Sequence, residues 1–178
     1  MIFQKPMKMA DSIRLMIAFI CIITLQSSSL TVAEPALMKG MVDRHNYWRA
    51  KVGTPPLVWS DKLADFAQAW ANELARKGCA MKHRPSKGKW NGSAYGENIY
   101  WSSGLKNQPT DVVDAWASEI VYYDSISGKC KNGVCGHYTQ LIWKKTTEVG
   151  CGMAKCGNQE IWVCNYNPPG NYIGQKPY

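Results

Sequence analysis

Gly136-His137-Tyr138-Thr139-Gln140-Leu141-Ile142-Trp143 follows directly on Cys135 and places one of only three histidines at the head of a short apolar run. A glycine before it and aliphatic and aromatic side chains after it predict a short, firmly seated helix over 137–143. Downstream, Thr147–Ala154 and Glu160–Asn165 read as two β-segments joined by Lys155-Cys156-Gly157-Asn158-Gln159, close enough to form an antiparallel hairpin. Upstream, Val112, Val113, Trp116, Ile120 and Tyr123 recur at helical spacing and predict a helix from Thr110 to Tyr123. Glu119 falls seven residues after Val112 and three after Trp116, on or beside that apolar stripe. A carboxylate there must either find a partner or reach water.

Farther towards the N-terminus, Leu63, Phe66, Trp70 and Leu74 mark a helix from Ser60 to Lys77, with Ser60 as N-cap and Gly78 as stop signal. Leu37, Met41, His45 and Trp48 mark another over 36–50, ended by Gly53-Thr54-Pro55-Pro56. Residues 82–96 are a loop rich in Gly, Ser and Lys that carries the one N-glycosylation sequon, Asn91-Gly92-Ser93. A short strand is expected from Asn98 to Trp101, and an extended tail over 167–178. Helices alternating with a few late strands indicate helices packed on a sheet.

The first residues read as an address. Lys5, Lys8 and Arg14 precede the apolar run Leu15–Leu25, which is too short to span a bilayer, and Thr31-Val32-Ala33 suits a cleavage site. The reading is a signal peptide over 1–33 and a single domain over 34–178. Of seven cysteines, Cys21 leaves with the signal. The remaining Cys79, Cys130, Cys135, Cys151, Cys156 and Cys164 predict three disulfides in a secreted chain, although spacing alone cannot choose their pairing. Histidines and cysteines do not alternate at zinc-finger spacing. The formal charge of the whole chain is +8. Its positive residues are scattered apart from Lys82, Arg84, Lys87 and Lys89, which fits a charged surface drawn to anionic walls or membranes. No nucleic-acid motif is present, and nothing after the leader is long and apolar enough for an integral membrane protein.

Four separated segments resemble the CAP superfamily, in its plant pathogenesis-related class 1 branch. They are His45-Asn46-Tyr47-Trp48-Arg49, Gly96-Glu97-Asn98-Ile99, Gly136–Trp143 with Thr146 behind it, and Ile161–Tyr172 (IWVCNYNPPGNY). The resemblance implies an α+β fold: a three-layer α-β-α sandwich with a central, mainly antiparallel sheet. It also implies the pairings Cys79–Cys156, Cys130–Cys135 and Cys151–Cys164. It further implies a cleft holding His83, Glu97, Glu119 and His137. The chain departs from the family pattern at Arg84, where a serine is usual, and in the thirteen residues between His83 and Glu97.

Two imidazoles and two carboxylates suit a divalent metal such as zinc, or equally a closed network of ion pairs and hydrogen bonds that requires no cofactor. His45, among apolar neighbours, is expected to be structural, with Asn46 and Arg49 anchoring nearby backbone. No Gly-x-Ser-x-Gly or His-Glu-x-x-His occurs, and no serine lies inside the four segments. The expectation is therefore a non-enzymatic, secreted plant defence protein, located in the apoplast or alternatively the vacuole, and monomeric. By the resemblance it binds sterols or membrane lipids of pathogens through an aromatic-rich loop beyond the third helix, with Trp116, Tyr122, Tyr123 and Ile126 as candidates. The alternatives are a C-terminal defence peptide released from 168–178, or a metal-dependent hydrolase using the His/Glu cleft.

Overall fold

Strand β6 (Gln159–Asn167) is walled on both sides, with residues 160–166 all buried. Alternation along the strand sorts its side chains. Trp162, Cys164 and Tyr166 enter one hydrophobic core, and Ile161 and Val163 enter another. A sheet with a core on each face needs a helical layer on each face, and the sandwich follows from that requirement.

The computed structural model describes residues 33–85 and 95–178. The leader expected over 1–33, except Ala33, and the sequon at Asn91 lie outside the described residues. Within them, β6 pairs antiparallel with β5 (Glu148–Cys156) on one edge and with β2 (Gly96–Ser103) on the other. The two-residue strand β1 (Val58–Trp59) adds in parallel to β5, giving the order β1-β5-β6-β2. The expected hairpin is present, and each of its strands runs slightly longer than the sequence suggested. Cys151 stands directly opposite Cys164 across it. All three disulfides pair as the resemblance implied.

Helix α2 (Asp61–Arg76) buries Leu63, Phe66, Ala67, Ala71 and Leu74, close to the expected stripe. It packs on β5 and β6. A Cβ at Gly150 would lie 2.2 Å from the Ala64 backbone nitrogen, so only glycine lets the helix rest directly on the strand. Helices α1 (Met41–Lys51), α3 (Pro109–Ala117) and α4 (Gly136–Leu141) form the opposite layer, around Met41, Val112, Val113, Trp116, Tyr138 and Leu141.

Two helix boundaries differ from expectation for identifiable reasons. The first helix starts at Met41, after a separate 3₁₀ turn over Ala36–Met38. The Glu34 carboxylate accepts the Gly40 and Val42 N–H groups and so meets orphan donors of the first turn of α1. The third helix opens on Pro109 with a reciprocal Gln108–Asp111 capping box. It ends at Ala117 rather than Tyr123, passing into a 3₁₀ turn over Ser118–Tyr122. Ile120 and Val121 are exposed, so no burial rewards further helix. The chain then makes a small hairpin of β3 (Tyr123–Asp124) and β4 (Lys129–Cys130). Among the described residues no helix is long and apolar enough to cross a membrane.

Candidate functional site

Six residues are too few for a helix to hold itself together in water, yet α4 carries His137. Its stability comes from outside. Cys135, at the N-cap position, offers no side-chain cap. Glu119 reaches across from the turn after α3 instead, and its Oε2 accepts the N–H groups of His137 (2.9 Å) and Tyr138 (3.3 Å). A carboxylate there also complements the positive end of the helix. Its second oxygen accepts from His137 Nδ1 at 2.6 Å and fixes the ring. Glu119 lies in the 3₁₀ turn beyond α3 rather than on a helical stripe, and its partner is the histidine.

The other end of α4 is held by Arg49, which is fully buried. Its guanidinium donates to the carbonyls of Leu141 (2.9 Å), Trp143 (3.0 Å), Thr146 (3.0 Å) and Pro55 (2.7 Å). Burial lowers its pKa to about 10, so it stays charged at neutral pH.

His45 is structural, as expected. Its Nδ1 donates to the Met41 carbonyl at 2.8 Å, which leaves Nε2 to accept from the Tyr166 hydroxyl at 2.9 Å. Burial lowers its pKa to about 4. The Tyr166 oxygen accepts from Asn98 Nδ2 (3.2 Å), and the same amide group donates to the His137 carbonyl (3.0 Å). Asn46 exchanges hydrogen bonds with the Leu57 backbone. One buried network thus draws on all four segments that the sequence singled out.

His83 and Glu97 form the second pair. Glu97 Oε1 accepts from His83 Nδ1 at 2.8 Å and from the Arg84 N–H at 3.0 Å. This hydrogen bond raises the His83 pKa above its ordinary value, against the opposing effect of burial. The four residues form two His–Glu pairs. In each the histidine turns Nδ1 to its carboxylate. Among the described residues no three His, Cys, Asp or Glu side chains converge closely enough to hold one metal ion.

A cavity of about 340 Å³ adjoins the His83–Glu97 pair, lined also by Phe66, Arg84, Gln140 and Asn165. Gln140 Oε1 accepts the Gly170 N–H at 2.9 Å. A Cβ at Gly96 would stand 2.2 Å from that oxygen, so this side chain requires glycine at 96. Arg84, Gln140 and Asn165 were not singled out as site residues by the sequence. Asn165 had one available signal: it sits between Cys164 and Tyr166 in the last motif.

The residues proposed for lipid divide. Trp116 is 2% exposed and its indole N–H donates to the Ile99 carbonyl, which makes it core and corrects its assignment as a lining residue. Tyr123 is half-buried against Tyr138 and Tyr178. Tyr122 and Ile126 are exposed, and Ile120, Val121 and Val134 join them.

A family model described as "CAP: Cysteine-rich secretory protein family" matches residues 42–166. The chain is 44% identical over 136 residues to pathogenesis-related protein PR-1 of Medicago truncatula, covering 75% of this chain and 74% of the relative. It is 44% identical over 139 residues to pathogenesis-related protein 1C of Nicotiana tabacum, covering 77% and 78%. Among solved structures, venom allergen-like protein 4 of Schistosoma mansoni superposes with a TM-score of 0.63 at 26% identity, covering 81% of this chain and 94% of that one.

Proposed function

We propose, from the premise that this chain belongs to the CAP family of cysteine-rich secretory proteins, that it acts in plant defence by binding rather than by catalysis. Its ligand is sterol or membrane lipid of a pathogen, met outside the cell in the apoplast. Three disulfides accord with an oxidising compartment.

One observation carries the reading. The turn after α3 and the hairpin beyond it expose Val121 (76%) and Ile126 (88%), with Ile120, Tyr122 and Val134 also exposed. Exposed apolar side chains this close in the chain suit an interaction site. Each one fully buried contributes about 1.5–3 kcal/mol towards binding. The supporting frame is braced. The Lys131 N–H donates to the Tyr122 carbonyl at 2.7 Å, the Lys131 ammonium pairs with Asp124, and Cys130–Cys135 closes the hairpin's return. A rigid frame spares the ordering cost of binding. Sterol binding measured on the purified protein, with and without Val121 and Ile126, tests the proposal.

A second reading is a divalent ion held by His83, Glu97, Glu119 and His137. Both histidines orient through Nδ1 to a carboxylate, as metal-bound histidines commonly do. Nε2 of each has no hydrogen-bond partner among the described residues. The two pairs would have to close on one another to share the ion. Release of a signalling peptide from 168–178 draws support from the exposed stretch 172–176, where Ile173 is fully exposed. Hydrogen bonds at Gly170 and Pro177 tether the segment on either side.

A further inference from the structure

Three buried polar atoms at the cavity have no hydrogen-bond partner among the described residues: Glu97 Oε2, Asn165 Oδ1 and Arg84 Nε. Folded proteins leave few such groups, and each unmet one costs about 1–3 kcal/mol. All three residues line the same cavity. Glu97 and Asn165 are register partners on β2 and β6, so their side chains rise next to one another from one face of the sheet. The Glu97 side chain is 9% exposed and Asn165 is 1% exposed. Arg84 arrives from the segment behind α2. Its guanidinium lies 3.9 Å from the centre of the Phe66 ring and donates to the Phe66 carbonyl. Tyr95 packs edge-on against that ring, which extends the apolar wall.

The unmet groups define the chemistry of an occupant. Two adjacent oxygens call for donors, and a guanidinium N–H beside them calls for an acceptor. An ammonium or metal ion would serve the oxygens but face the Arg84 charge and leave Nε unmet. An anion would serve Arg84 but meet the Glu97 carboxylate. A hydroxyl both donates and accepts, and neighbouring hydroxyls on a rigid ring do so at several points together. The C–H face of such a ring suits the half-buried Tyr95 at the cavity's edge. We propose that this cavity binds a neutral saccharide unit, with adjacent hydroxyls donating to Glu97 Oε2 and Asn165 Oδ1 and a sugar oxygen accepting from Arg84 Nε. A volume of about 340 Å³ falls at the small end of ligand sites and fits a short saccharide.

The experiment is calorimetry, or ligand-observed NMR, on the disulfide-bonded protein with three neutral trisaccharides in turn: laminaritriose, cellotriose and chitotriose. Each titration is run with EDTA and repeated without it. Saturable binding of at least one is expected. Affinity should fall about tenfold in Glu97→Gln, the equivalent of one charge-assisted hydrogen bond. It should fall similarly in Arg84→Lys, which keeps the charge and the backbone N–H to Glu97 but removes Nε. Circular dichroism melts identify any variant that misfolds, and the other variant then decides. A Val121→Ser, Ile126→Ser double variant should bind saccharide like wild type, so the fate of this site and of the lipid surface can be read separately. No saturable binding of any of the three probes overturns the proposal. Equal affinity in both folded cavity variants, or binding that appears only when EDTA is omitted, also overturns it.

Discussion

Glu119 and Arg49 hold opposite ends of one six-residue helix, the acid at its N-terminus and the base at its C-terminus. Each supplies what the helix's own flanking residues lack, and each charge complements the end it meets. His137 is presented by a helix that other elements hold in place. Glu119→Ala should therefore cost about 1–2 kcal/mol in denaturant unfolding and broaden the His137 ring resonances. Arg49→Met strands the three buried carbonyl groups of Leu141, Trp143 and Thr146 and should cost about 3 kcal/mol or more. Unchanged midpoints in both variants would show that α4 needs neither cap.

His45 makes stability depend on acid. Its pKa is lowered to about 4 when folded, against an ordinary value of 6.5, because burial penalises the charged ring. The unfolded chain binds the extra proton first, so stability is complete above about pH 6.5 and declines as pH falls towards 4. The loss is on the order of 3 kcal/mol across that window. Urea midpoints at a series of pH values measure it, and a flat profile from pH 6.5 to 4 would contradict the assignment.

His83 works in the opposite sense. Its hydrogen bond to Glu97 raises the folded pKa above 6.5, so the pairing stabilises the protein below that pH. The contribution is lost as pH rises through the raised value. NMR titration should show the His83 midpoint dropping in Glu97→Gln. An identical midpoint in both proteins would mean that Glu97 is not the cause.

For the lipid surface, Val121→Ser combined with Ile126→Ser should weaken sterol binding at least tenfold while leaving the melting temperature within a few degrees. Both side chains are exposed, so they contribute little to folding. Trp116→Ala would be misleading here, because it empties the core. Wild-type affinity in the double variant would remove the surface from consideration.

Zinc added to wild type and to His137→Ala separates the two states of the cleft. If the His–Glu pairs close on an ion, calorimetry should register heat in wild type that the variant lacks. Equal heats would leave the pairs as an ion-pair network.

The sequence revealed what local periodicity encodes and concealed what depends on distant partners. The β5–β6 hairpin, helix α2 and the short helix at His137 were each legible because one stretch of chain carries its own pattern. Glu119 was flagged by its place beside an apolar stripe, but its task of capping a helix 18 residues onward appears only when the turn after α3 folds back. Trp116 could not be told from a lining aromatic by spacing, since a stripe position looks the same whether core or ligand covers it. Arg84 stood out only as a basic residue and a departure from the family pattern, and Asn165 not at all, because an unmet hydrogen-bonding group has no signature in one dimension. The end of α3 was overrun because Ile120 and Tyr123 continue its period while Ile120 and Val121 lie in water.

Strand β6 is bonded along both edges and covered on both faces. Removing or inserting a single residue there would send Trp162, Cys164 and Tyr166 to the side now filled by Ile161 and Val163, and would carry Cys164 away from Cys151. No compensating point change could repair both cores and the cross-link together. The strand is the ruler against which every other length in the domain is set. Changes of length that preserve the protein must therefore fall in the connections, leaving this one segment with a fixed residue count.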